Sequence, residues 1–223
     1  MLRTAGPDVY DQWVNHEIPW TDPRVQEAFE IFGKITTNSD YVYGGPITVL
    51  ATKLGDSVAE LFTDPPRAMM HRQASFITSF IRDANPDVEI GKDVSFFGFP
   101  MINPEHGNPM LGAGSMIAQF NDNPEAAAFM NFLAGPEAQE IWVNRLGKLG
   151  TNNKINPEVY PDDLTREMAE LLNQADVFRF DGSDSMPAAV GSGAFWEGTL
   201  MYVGGEDLAG VLEFIENVAV DSY

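Results

Sequence analysis

The chain has no cysteine among its 223 residues. That excludes disulfides, thiolate metal sites and thiol nucleophiles together. Basic residues are scarce: 13 Lys and Arg stand against 33 Asp and Glu, a formal net charge of −20. Such a chain repels phosphate backbones and anionic membrane surfaces, so nucleic acid is not an expected partner. No run approaches the roughly 18 consecutive apolar residues of a membrane-crossing helix. Residues 1–20 lack the apolar centre of a secretory signal. Two expectations follow: a cytosolic protein, or part of a longer chain whose export signal lies upstream. The histidines His16, His71 and His106 are scattered, with no HExxH or HxH spacing. No metal and no cofactor is expected.

Catalytic signatures are equally thin. Gly112-Ala113-Gly114-Ser115 is not followed by the Gly-Lys-Ser of a phosphate-binding loop. Gly191-Ser192-Gly193 has the wrong spacing for a nucleophile elbow. Asp181-Gly182-Ser183-Asp184 lacks the glycine and glutamate that complete a calcium loop, and reads as a surface turn. Among 33 carboxylates some pair will lie close by chance, so a glycosidase dyad has no specific support.

What is present is alternation of helix and strand signals, helices prevailing. Pro23–Thr36 reads as a helix capped by Thr21 or Asp22, with Ala28, Ile31, Phe32 and Ile35 as its buried stripe. Shorter helices are expected over 56–62 and around Phe76, Phe80 and Ile81, ending near Asn85-Pro86. Pro124-Glu125 and Pro136-Glu137 open two further helices, the first facing inward through Phe129, Phe132 and Leu133. The second carries Ala138, Ile141, Trp142 and Arg145 in register, with Gly147 as its terminator. Helices over 164–174 and 206–218 complete the set, the last burying Leu208, Val211, Leu212 and Ile215. Arg67–His71, Val94–Pro100 and Ser115–Phe120 read as strands, with a loop over 100–112. The class is α/β, a small mixed sheet covered by helices. Three or four strands are few for this length, which hints at an incomplete fold.

The segment richest in functional promise is Gly193-Ala194-Phe195-Trp196-Glu197-Gly198. A large aromatic at a helix start, behind the small residues 188–192, can leave a flat apolar face open to a cleft, which suits the carbon face of a sugar ring. The competing reading places both aromatics in the core.

Several segments, in order, resemble the carboxy-terminal half of family 1 extracellular solute-binding proteins of ABC sugar importers. Asp22-Pro23-Arg24-Val25-Gln26-Glu27-Ala28 resembles that family's D-P-x-V-x-x-A helix start. Arg67-Ala68-Met69-Met70 is similar to its K-A-A-M strand, and Phe99-Pro100 with 112–115 to its F-P … G-G passage. The stretches 123–133 and 135–139 resemble its paired helices, Gly193–Trp196 its sugar-stacking segment, and 206–216 its closing helix. The family's cleft tryptophan after A-A-M is absent; His71-Arg72-Gln73-Ala74-Ser75-Phe76 stands there instead.

The resemblance implies a helix-rich, type II periplasmic-binding-protein lobe. Residues 1–112 and 151–223 would form the second lobe, and 113–150 a crossover segment belonging to the first. It implies a non-enzymatic, extracytoplasmic sugar-binding component, periplasmic or a cell-surface lipoprotein, partnered by permease subunits in the membrane. Most of lobe one would be missing, and the unpartnered crossover would invite a swapped dimer. Trp196 is the expected stacking platform, with Gln73, Phe76, Met110 and Glu197 as lesser ligand contacts. The alternatives are a carboxylate-dependent glycoside hydrolase using Glu197, and an interaction module without a small ligand.

Overall fold

The computed structural model describes all residues, 1–223. In chain order the elements are α1 (Pro7–Val14), α2 (Pro23–Thr36), α3 (Gly45–Ala51), α4 (Ile77–Ala84), β1 (Met110–Gly112), α5 (Pro124–Ala134), α6 (Pro136–Leu146), α7 (Asp163–Asn173), β2 (Phe178–Phe180), α8 (Gly182–Ser185), α9 (Phe195–Val203) and α10 (Leu208–Val220). Three 3-10 segments (Asp56–Leu61, Pro104–His106, Pro157–Val159) and a π-helical turn (Ala189–Ala194) complete it. No helix is long and apolar enough to cross a membrane.

The chain divides into two compact units. The first comprises 1–71, 100–113 and 176–223; the second comprises 72–99 and 114–175. Residues 114–150 of the stretch expected as a crossover lie within the second unit, together with 72–99 and 151–175.

The first unit is built on a two-stranded parallel sheet, Met110 pairing with Phe178 and Gly112 with Phe180. Its core gathers Trp13, Trp20, Val25, Phe29, Val190, Val211, Leu212 and Ile215. Pro23 opens α2, where its missing N–H costs nothing, and the Asp22 carboxylate accepts from the Arg24 backbone N–H at 2.9 Å. The Arg24 guanidinium clasps the same carboxylate, which holds the Asp22 pKa below its ordinary value. The Asp11 carboxylate receives Arg179 Nε and Nη2 at 2.7 and 2.8 Å, tying α1 to β2.

In the second unit α5 and α6 pack together, separated by Gly135. The Asp162 carboxylate caps α7 by accepting from Thr165 N at 2.7 Å, and receives Arg82 at 3.1 Å. Gly147 ends α6 in the left-handed conformation, φ 59°. Ile81, Val143, Ile155, Leu164 and Ala169 are buried here.

The expected helices are present, α1, α3 and α8 are additional to them, and the sheet is smaller and purely parallel, not mixed. Residues 67–71, 94–100 and 115–120 form no strand, apart from a lone bridge between Ile90 and Val94. A strand needs a ladder partner for its N–H and C=O groups, and the only strands paired are β1 and β2. Inner faces also depart from expectation. Helix α2 buries Val25, Phe29 and Gly33, while Phe32 and Ile35 are exposed. Phe129 and Phe132 on α5 and Ile141 and Trp142 on α6 are exposed, and α6 instead buries Val143. The 56–61 helix is of the tighter 3-10 type.

Candidate functional site

Trp196 stands in the first turn of α9, directly after the π-helical turn. Helical neighbours point about 100° apart, so one of the Phe195-Trp196 pair can face inward and the other outward. Phe195 faces inward. Its ring meets Trp13 edge-on at 5.6 Å, Trp20 at 5.0 Å and Phe29 at 6.1 Å. Trp13 and Trp20 meet each other at 5.0 Å, and Phe29 continues to Tyr202 at 5.8 Å. Edge-to-face ring pairs of this kind contribute about 0.5–1.5 kcal/mol each beyond area burial. Trp196 faces outward, 62% exposed.

Rings drawn from α1, the α1–α2 connection and α2 therefore clamp Phe195 and fix the start of α9. Glu197 follows Trp196 and is likewise exposed. Upstream, the Asp181 carboxylate accepts from Ser183 N at 3.1 Å and Ser183 Oγ at 3.0 Å, holding α8.

Met110 belongs to the same unit. Its N–H donates to the Val177 carbonyl at 2.8 Å, and the residue is half-buried. Gln73 and Phe76 belong to the second unit. Gln73 is exposed, and its Oε1 accepts from the next backbone N–H, Ala74, at 2.9 Å. Phe76 is 38% exposed and leans edge-on against Phe80 at 6.2 Å. Trp196, Glu197 and Met110 thus share one unit, and Gln73 and Phe76 the other.

The ring cluster behind Phe195 was not foreseen from the sequence. Trp13 and Trp20 are separated from Phe195 by more than 170 positions, so local periodicity carries no trace of the meeting. Arg67 over the Tyr43 ring, 5.7 Å from its centre, is a second exposed aromatic arrangement that was missed. The tyrosines and glycines of 41–45 were its available signal.

Comparison with known proteins defines the class. The chain belongs to the bacterial extracellular solute-binding proteins, whose family model matches residues 6–170. It is 47% identical over 217 residues to the osmoprotective compounds-binding protein GgtB of Synechocystis sp., covering 97% of this chain and 50% of that protein. It is 42% identical over 213 residues to the alpha-glucosides-binding periplasmic protein AglE of Rhizobium meliloti, covering 95% of this chain and 46% of that protein. Both relatives are binding proteins. The fold matches the bacterial solute receptor AcbH at a TM-score of 0.75 and 19% identity, over 99% of this chain and 55% of that one. AcbH is described as exclusive for β-D-galactopyranose. The chain spans about half the length of these relatives.

Proposed function

We propose that the chain serves as a carbohydrate-binding component of an ABC importer, acting outside the cytoplasm and without catalysis. One observation carries the reading. Two relatives, 47% and 42% identical across nearly the whole chain, are binding proteins for osmoprotective compounds and for α-glucosides. The outward indole of Trp196, fixed from behind by a buried ring cluster, is the kind of flat apolar surface that a pyranose carbon face covers.

Under this reading the sugar stacks on Trp196, and Glu197 accepts a hydrogen bond from a ring hydroxyl. Met110, in the same unit as Trp196, contributes apolar area. A site built to pair hydroxyls rejects analogues that lack them, because its own polar groups are then stranded. Ligand would be held between two lobes, its contacts with both favouring the closed form that a membrane permease accepts. A lipid anchor is compatible with an extracytoplasmic setting.

The test is titration calorimetry on the protein as its gene encodes it. The panel holds α-glucosides, galactose and small polyol osmolytes, and chromogenic glycosides are run in parallel. Micromolar binding of at least one saccharide, lost in Trp196→Ala, supports the reading. Heat-silent titrations throughout, or turnover of any glycoside, overturn it.

A further inference from the structure

The helix that carries Trp196 starts before α9. Val190 N and Gly191 N both donate to the Pro187 carbonyl, at 2.8 and 2.9 Å, and the chain then passes through the π-helical turn Ala189–Ala194 without a break into α9. Along this stretch Val190, Ala194 and Gly198 are buried, and Tyr202 packs on the same core. These four residues recur every four positions. An α-helix advances roughly 100° per residue, so steps of four overshoot by about 40° each and by about 120° over twelve. Such a column would spiral out of the core in a regular α-helix. A turn with i→i+5 bonds winds less per residue and absorbs part of the overshoot.

The wide turn is seated at one point. Gly191 is buried, and a Cβ built on it would overlap the carbonyl oxygen of Ser183. Only glycine lets the π-turn backbone lie against α8 in this way. Ser183 is itself held by the Asp181 cap.

We propose that Gly191 is a positioning residue for the ligand platform: by seating the π-turn against Ser183 it sets the rotation of α9 that sends Phe195 inward and Trp196 outward. The inference rests on the reading of Trp196 as a sugar platform only for its consequence in affinity, not for the orientation itself. Without the seat, the turn relaxes toward α-helical winding and α9 rotates, so the indole loses its outward aim.

Two readouts test this. Trp13 and Trp20 are buried, and Trp142 and Trp196 exposed. In a Trp142→Phe background, acrylamide quenching of fluorescence therefore reports Trp196. Gly191→Ala in that background is expected to halve the quenching constant or more. Saccharide affinity should fall about tenfold, the scale of a lost ring contact. Combined with Trp196→Ala, it should weaken binding no further than Trp196→Ala alone, whereas a merely structural role predicts additive losses. Should Gly191→Ala fail to fold, Asp181→Ala, which loosens Ser183 but keeps the glycine, is expected to lower quenching in the same direction. A cooperatively folded Gly191→Ala, or in its place Asp181→Ala, with unchanged quenching overturns the proposal. Lowered quenching with no saccharide bound by any form upholds the positioning and sinks the sugar reading instead.

Discussion

Phe195 and Trp196 are neighbours in the chain with opposite surroundings: the Phe195 ring meets Trp13 edge-on at 5.6 Å, while Trp196 is 62% exposed. The two rings should therefore separate stability from binding. Phe195→Ala removes the hub of the ring cluster and is expected to cost about 3–5 kcal/mol of folding stability. Trp196→Ala removes a surface ring and should stay within about 0.5 kcal/mol in stability. Its expected effect is on saccharide affinity, about tenfold or more, the scale of a stacked ring. Urea unfolding and calorimetry on both variants check this, and a Trp196→Ala protein that unfolds as readily as Phe195→Ala would refute it.

Gly33 on α2 is a second point of close approach. A Cβ there would overlap the Tyr202 hydroxyl and lie 2.8 Å from its Cζ. Tyr202 cannot easily yield, since its ring is edge-on to Phe29 at 5.8 Å. Alanine gains up to about 1 kcal/mol of helix propensity, and overpacking costs about 1–3 kcal/mol. Gly33→Ala is thus expected to be net destabilising by about 1 kcal/mol, and Gly33→Ala with Tyr202→Leu less so. A lowered urea midpoint in the single variant, restored in the double, is the expected pattern.

Helix ends were legible in the sequence because they are written in local chemistry. Asp22-Pro23 marks the start of α2 and Gly147 the end of α6, and both stand as read. Which face of a helix is buried was less legible. The stripe Ala28, Ile31, Phe32 and Ile35 has helical period, but so does Val25, Phe29 and Gly33; what packs alongside selects between them. Phe29 is drawn inward by Phe195 and Tyr202, both on α9 and more than 160 positions away. The strands were misread for a related reason. Apolar runs such as Met69-Met70 and Met116-Ile117 look like buried strands, yet those side chains are exposed. The paired strands, three residues each, are too short to show a period. The outward Trp196 was foreseen as one of two readings. The π-turn that aims it has no sequence signature beyond the glycines.

Tyr10 makes a prediction at high pH. Its hydroxyl donates to the Phe180 carbonyl at 2.8 Å. Burial chiefly, with nearby Asp181 and Asp11 adding to it, pushes its pKa up to about 12 from the usual value near 10. The folded state therefore holds this proton when the unfolded chain has released it. Tyr10 adds no pH dependence below about pH 10, and stability falls as pH rises from there to about 12. Tyr202 and Tyr223 are shifted in the same direction by burial and contribute a background. The comparison that isolates Tyr10 is Tyr10→Phe, expected to be less stable at neutral pH and to lose stability less steeply between pH 10 and 12. Parallel slopes for the two proteins would argue against it.

His71 makes the complementary prediction in weak acid. Ser57 Oγ donates to the Leu54 carbonyl at 2.6 Å, so its single proton is committed. His71 Nε2, 2.9 Å from the same oxygen, must then be the donor of that pair, which assigns the neutral ring its Nε2–H tautomer. Nδ1 is left without a proton, buried and without a partner. Protonating it would place a charged N–H where no acceptor waits, and burial accordingly lowers the His71 pKa below its ordinary 6.5. A base with a depressed folded-state pKa contributes its full stability above about 6.5, where both states are neutral, and loses it as pH falls below that value. The unfolded chain takes up the proton first. His71→Gln keeps an amide donor for Ser57 Oγ but cannot titrate. Unfolding midpoints measured between pH 7 and pH 5, above the bulk of carboxylate titration, should fall for the parent chain and stay flatter for His71→Gln. Equal slopes in the two proteins would show that His71 protonates in the fold as freely as outside it.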